Sequence, residues 1–311
     1  TPRSYYASAA APAFLGLTPV FADVDRDSQN LTAESIEAVL TPKTRAVIPV
    51  HLAGWPCAMP AIMDLAKARG LAVIEDCAQS PGAEVAGRKA GSFGLINAFS
   101  FCQDKILTTG GEGGMVTTDD PELGRRVWEL KDHGKSWDAV HHRAHAPGFR
   151  WLHESLGSNW RMTEMQAAIG RIQLTKLDGW LETRARNAGI LALRLGAHPA
   201  LRVPVPPPGI RHAWYKLYAF VRPEALKDDW SRDRIMVEVQ RAGIFCGTGS
   251  CPEIHREKAF VERGLVPPAP LPVARELCET SLMLLVHPTL TEAAMHRTAD
   301  VVTEVLDRAR R

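Results

Sequence analysis

Two side chains of this sequence are placed to share one piece of chemistry: an aspartate that ends one apolar run, and a lysine that follows the next. The run LAVIEDCAQS (71–80) reads as a short strand breaking at Glu75-Asp76, and LINAFSF (95–101) as a second strand ending at Ser100. Lys105 follows in SFCQDKILTTGGEGG. A carboxylate and a lysine leaving neighbouring strands at one edge of a parallel sheet are what pyridoxal phosphate (PLP) needs. The amine holds the aldehyde, and the carboxylate keeps the pyridinium nitrogen protonated so that the ring remains an electron sink. Ser100 and the backbone near it offer donors to the phosphate. Singly these residues say little, because strand-end aspartates usually cap helices, lysines usually lie on surfaces and GGEGG is usually a turn. Their order and spacing carry the reading.

The pattern EDxAQ, then GSFGxxxxFSF, Lys105, GGEGG and the strand GMVTTDD resembles the DegT-type family of PLP-dependent sugar aminotransferases. HG at 133–134 and NWRMTEMQAAIG at 159–170 match two further motifs of that family in the same order. The resemblance covers nearly the whole chain and is strongest from residue 71 to 177. It implies the PLP-dependent transferase fold, an α/β architecture of the aspartate-aminotransferase type (fold type I). It further implies an aromatic ring flat on the cofactor, placed by position at Tyr6, and Gln79 at the cofactor's phenolic oxygen. Asn159 would reach the phosphate in a second copy's site, so an obligate homodimer follows. The implied reaction is ping-pong amino transfer from L-glutamate to a nucleotide-linked 4-keto or 3-keto hexose. Relatives that dehydrate instead carry histidine at the lysine's place, and this chain has Lys105. The family's serine/glycine-threonine-alanine turn for the phosphate does not appear before Thr1, so an N-terminally truncated large domain is expected.

The elements that must position these residues follow from pattern. PRSYYASAAAPAFLGL suits a strand end and a helix stopped at Gly16, and TPVFADVD (18–25) reads as a strand. Thr32 is a plausible cap, with Ser35 one turn on, for the helix TAESIEAVL. TRAVIPVHLAG (44–54) holds a strand ending near His51, which either lines the site or is a bonded structural residue. PAIMDLAKARG (60–70) has helical spacing and a terminal glycine, so strand, helix and strand form a right-handed parallel unit. Ligands bind beyond the carboxyl ends of such strands, where Asp76 sits. Residues 82–94 read as a glycine-rich loop or hairpin, and DPELGRRVWELKDHG (120–134) as an amphipathic helix capped by Asp120. In RMTEMQAAIGRIQLTKL (161–177), Thr163 and Gln166 resemble a capping box, and Met162, Met165, Ala168, Ile169, Ile172 and Leu177 mark a stripe expected to be buried. A helix over 177–197 leads to the proline-rich break LRVPVPPPG (201–209). Beyond it WYKLYAFV (214–221) reads as an alternating strand, with helices at 231–243 and 290–309. The large domain is thus placed at 1–198 and a smaller α+β domain at 199–311.

Composition narrows the class. A chain of 311 residues with 45% hydrophobic content accommodates two domains, and a net charge of +2 gives no nucleic-acid footprint. Six cysteines without a CxxC pair suit reduced thiols and a cytoplasmic setting. The spacings of His141, His142, His145 and His153 fit no zinc pattern, and no metal is expected. TGGEGG has the wrong spacing for a nicotinamide-binding turn and precedes a strand. A non-catalytic scaffold of the same fold and a PLP enzyme of other specificity, such as a lyase or desulfurase, remain as alternatives. The second would not be expected to carry the NWRMTE and GGEGG set.

Overall fold

A computed structural model describes residues Thr1–Arg311. Helix α1 (Ala7–Phe14) and the capped turn α2 (Ala33–Glu37) come first, and Thr32 and Ser35 form a reciprocal capping box on α2. Between them residues 18–25 are not the expected strand: no neighbour pairs with them, although Phe21, Ala22 and Val24 are buried. Asp23 takes a different task, accepting the backbone N–H groups of Val273 and Ala274 at the start of a distant helix. Strand β1 (Ala46–Val47), helix α3 (Met59–Arg69) and strand β2 (Ala72–Asp76) make the parallel unit. Met59, Ile62 and Ala66 bury one face of α3, and Gly70 ends it at φ 64°, a left-handed conformation natural to glycine.

A hairpin, β3 (Glu84–Val85) and β4 (Arg88–Lys89), leads to β5 (Ile96–Ser100) and β6 (Gly114–Thr117). The sheet order is β1-β2-β5-β6, parallel except for β6 at its edge. Helix α4 (Pro121–Lys131) is capped by the Asp120 side chain, and α5 (Trp137–His141) by Ser136. Thr163 and Gln166 do form the capping box of α6 (Glu164–Leu174). Its apolar stripe, however, is only partly buried: Met162 and Leu177 are half-buried, whereas Met165 is 77% exposed, Ile169 41% and Ile172 59%.

After α7 (Leu177–Gly196) come β7 (Leu201–Arg202), β8 (Ile210–Arg211), which joins the hairpin sheet, and β9 (Leu217–Val221). Helix α8 (Arg232–Arg241), β10 (Cys246–Gly247), the single turn α9 (Lys258–Val261), α10 (Pro272–Thr280), β11 (Ser281–Leu284) and α11 (Glu292–Ala309) complete the chain. The second sheet, β10-β11-β9-β7, is antiparallel. Strand β9 is buried at every position rather than alternately. Its period of two instead sorts side chains between two cores: Tyr218 and Phe220 join the core around α3, while Leu217, Ala219 and Val221 join the core under α7 and α11. Burial of Leu217, Phe220 or Val221 contributes about 1.5–3 kcal/mol each.

The end of β2 is pinned by one carboxylate. Glu75 is fully buried and accepts from the backbone N–H of Gly91 at 2.9 Å, Phe93 at 2.7 Å and Gly94 at 2.8 Å. His51 Nδ1 accepts the N–H of Cys57 at 3.0 Å, so its ring proton faces Glu75 from Nε2 at 2.9 Å. Burial works to raise the Glu75 pKa, but the His51 contact and the backbone donors hold it below the usual range. The stability from this depressed pKa is present above the unfolded carboxylate's range and is lost as pH falls through the folded value. We expect Glu75→Ala to cost about 3 kcal/mol or more in urea unfolding, because it strands buried donors. It should also shrink the loss of stability on acidification.

Candidate active site

The carboxyl ends of β2 and β5 bring the expected residues to one sheet edge. Asp76 pairs in register with Ala98, two residues before Ser100. Its Oδ2 accepts the Ser8 hydroxyl at 2.7 Å, and its Oδ1 accepts the N–H of Ala78 at 3.0 Å. Ser8 lies in turn 3.0 Å from the Ser4 hydroxyl, so α1 holds the aspartate from one side. Gln79 is buried, its Oε1 accepting the N–H of Ala53 at 2.7 Å and its Nε2 donating to Ser250 at 3.4 Å. Ser100 accepts the N–H of Cys102 at 3.3 Å, which turns the chain out of β5.

Beyond that turn the glycines allow close packing. A Cβ at Gly113 would stand 2.3 Å from the Thr109 hydroxyl, and one at Gly114 2.8 Å from the Phe99 carbonyl oxygen. Lys105 is half-buried, enters no ion pair and carries its Nζ 5.2 Å from the centroid of the Tyr215 ring. The Tyr215 hydroxyl donates to Asp104 at 2.6 Å. Burial opposes ionisation of Asp104, yet that hydrogen bond and the charges of Lys105 and Lys216 keep its pKa below the usual range. Burial and Asp104 together push the Tyr215 hydroxyl far above its usual range, so it stays protonated and donating.

Tyr215 is carried by a strap, residues 212–216, fixed from two directions. The N–H groups of Ala213 and Tyr215 donate at 2.8 Å to the carbonyls of Gly54 and Ala53. A Cβ at Gly54 would meet that of Ala213 at 2.9 Å, so the approach requires glycine. Buried Arg184 on α7 donates to the carbonyls of Trp214 and Tyr215 at 3.1 and 3.2 Å. His212 stacks on Trp214 at 3.9 Å, accepts its N–H through Nδ1, and has its pKa lowered to about 3 by burial. It is a neutral structural group.

The family model described as the DegT/DnrJ/EryC1/StrS aminotransferase family matches residues 1–303. The chain belongs to this family. Among its relatives, a UDP-N-acetyl-3-dehydro-alpha-D-glucosamine 3-aminotransferase of Acidithiobacillus ferrooxidans is 38% identical, over 97% of this chain and 76% of its own. A dTDP-3-amino-3,4,6-trideoxy-alpha-D-glucose transaminase of Streptomyces venezuelae is 34% identical, over 98% and 75%. The crystal structure of an aminotransferase from Psychrobacter cryohalolentis superposes with a TM-score of 0.96 at 52% identity, covering 99% of this chain and 80% of that one. The fold is that of the PLP-dependent aminotransferases of fold type I, with a mostly parallel central sheet.

Within this family member, Asp76, Gln79, Ser100 and Lys105 surround the ends of β2 and β5, and Ser8 brings α1 to the same place. Tyr6 packs edge-on against Phe260 at 5.5 Å and is 39% exposed, whereas its neighbour Tyr5 is 68% exposed. Asn159 is exposed, paired with Asp132 through the backbone and accepting from Arg161 at 3.0 Å. His51 proves structural, bonded to Glu75 and Cys57. His51, Glu75 and Cys77 form a tight buried group, but the Glu75 oxygens and both His51 ring nitrogens are already engaged, which leaves a metal no free ligand set from them. Sequence reasoning missed Ser8, Asp104, Tyr215 and Arg184. A lysine directly after an aromatic at the mouth of a strand, in WYKLY, was the available signal for the strap. Tyr215→Phe is expected to fold normally and to lose about 1 kcal/mol in urea unfolding. By NMR titration its Asp104 should move toward the ordinary carboxylate range.

Proposed function

We propose that this protein transfers an amino group from an amino acid, L-glutamate, to a nucleotide-linked keto sugar, using PLP. One observation carries the reading: in a member of an aminotransferase family, Lys105 presents an amine free of any ion pair beside the sheet edge that holds the Asp76 carboxylate. The donor set fits PLP, with an amine for its aldehyde, an anion held by Ser8 and Ala78 for its ring nitrogen, and Ser100 for its phosphate. When bound, PLP supplies the electron sink that allows an amino-acid α-carbon to give up its proton. Lys105 Nζ is the base that takes this proton, and Asp76 keeps the ring-nitrogen proton in place. Tyr6 is assigned to the ring face and Gln79 to the phenolic oxygen. The donor leaves as a keto acid before the acceptor enters, which gives ping-pong kinetics.

The printed names of two relatives concern amination at carbon 3 of a sugar, and this favours a 3-keto over a 4-keto acceptor here. The exposed face of α6, with Phe149, Trp151, Leu156 and Trp160 exposed in the loop before it, supports a second copy as the cover. In that homodimer Asn159 of each chain completes the other chain's phosphate site.

With isotopically labelled L-glutamate, label should appear in the amino sugar made from a nucleotide-linked 3-keto hexose, and Lys105→Ala should abolish transfer while remaining folded. Unlabelled product, or equal transfer by the variant, counts against the reading. Mixing and reassembling Lys105→Ala with Asn159→Ala should restore roughly a quarter of the parental sites, because one site in each mixed dimer is intact. Two inactive variants that stay inactive on mixing contradict the shared site.

A further inference from the structure

Lys216, at the mouth of β9, acts on the Asp104 carboxyl through its charge but has no part in the binding or chemistry described so far. Its Nζ lies 4.7 Å from the centroid of the Tyr215 ring, the same ring that Lys105 approaches at 5.2 Å. The two ammonium groups therefore stand within about 10 Å of one another, close enough to interact in a partly desolvated site. The lysines that form ion pairs in this chain are Lys135 and Lys258; Lys105 and Lys216 do not. Asp104 does not quench Lys216 by direct pairing, since its Oδ2 is taken by the Tyr215 hydroxyl and no lysine nitrogen comes within ion-pair distance. Lys216 also lines a narrow cleft with Ala53, Trp55, Trp214 and Tyr218, and Ala53 is the residue whose N–H holds Gln79.

A half-buried ammonium without a direct ion pair is costly, and burial lowers the pKa of Lys216, against the charge of Asp104 and with that of Lys105. The strap that carries it is locked by Arg184 and by the carbonyls of Ala53 and Gly54, so the backbone from which the cation reaches is fixed. An α-amino acid bears its carboxylate on the same carbon as the amine that would take the place of the Lys105 amine. Its charge therefore falls within a few bonds of the reacting nitrogen, whereas the phosphates of a sugar nucleotide hang from a different ring carbon than the keto group.

We propose that Lys216 receives the α-carboxylate of the amino donor and so orients the donor's amine at Lys105, an inference that rests on the aminotransferase reading. Both lysine amines then stand beside one ring, that of Tyr215, with the donor between them. Specificity for an α-amino acid over a simple amine follows from that pair.

The test compares the parent with Lys216→Gln and Lys216→Arg as PLP-loaded protein. Binding of 2-methylglutamate, which has no α-proton to lose, is followed by the change in PLP absorption and needs no turnover. Lys216→Gln should weaken that binding about tenfold or more, as expected for loss of one charged hydrogen bond, and Lys216→Arg should recover part of it. The variant's disadvantage should vanish for 4-aminobutyrate, which lacks the α-carboxylate. In turnover the donor KM should rise about tenfold while the acceptor KM moves less than about twofold. Unchanged donor binding overturns the proposal, as does an equal loss for 4-aminobutyrate or a rise confined to the acceptor KM, which would assign Lys216 to a phosphate. If the parent takes up PLP and transfers nitrogen but Lys216→Gln behaves like it, this inference alone fails. If the parent takes up no PLP, both fall.

Discussion

The fully buried carboxylate of Glu75 is the contact on which the site depends. It gathers the His51 ring from the end of β1 and the N–H groups of the turn at 91–94 around the last residues of β2, with Asp76 immediately next. A buried charge of this kind is tolerable only when fully satisfied, and here the donors come from two pieces of chain, the His51 ring and the turn at 91–94. The arrangement therefore fixes the relative positions of β1, β2 and the approach to β5. Asp76 inherits that rigidity and needs only the Ser8 hydroxyl and one backbone N–H to hold its own oxygens.

A second, weaker constraint sets the far wall. The strap at 212–216 lies between Ala53-Gly54 and the buried guanidinium of Arg184, and it delivers Tyr215 and Lys216 toward Asp104 and Lys105. Strand β9 continues from this strap and divides its side chains between two cores, so continuous chain joins the C-terminal sheet to the Tyr215 ring. The chemistry of the site is thus held from one side by the parallel sheet and from the other by the start of the antiparallel one. The Lys105 amine stands between them without an ion-pair partner.

Much of this was legible in the sequence, and the reasons for the rest are physical. The strand ends at Asp76 and Ser100 were visible because an apolar run broken by a polar residue marks a strand's end, and Thr163 with Gln166 because a capping box is local. Residues 18–25 misled because Phe21 and Val24 are apolar and buried yet no strand lies within reach to pair with them, so burial alone imitated a strand. The stripe on α6 was read correctly as apolar and wrongly as covered, since periodicity reports that a face needs a partner and not whether the partner is in the same chain. Ser8 and Arg184 were invisible because each acts on a residue 68 or 30 positions away, with no local pattern to announce it.

The central claim is that Lys105 is the amine that takes PLP, and one measurement addresses it most directly. The chain is incubated with PLP, reduced with borohydride, digested and mapped by mass spectrometry, with a parallel sample exposed to L-glutamate before reduction. The account predicts a single cofactor-modified peptide carrying Lys105, lost when L-glutamate precedes the reductant. A label spread over surface lysines, or one on Lys105 that L-glutamate leaves untouched, would contradict it.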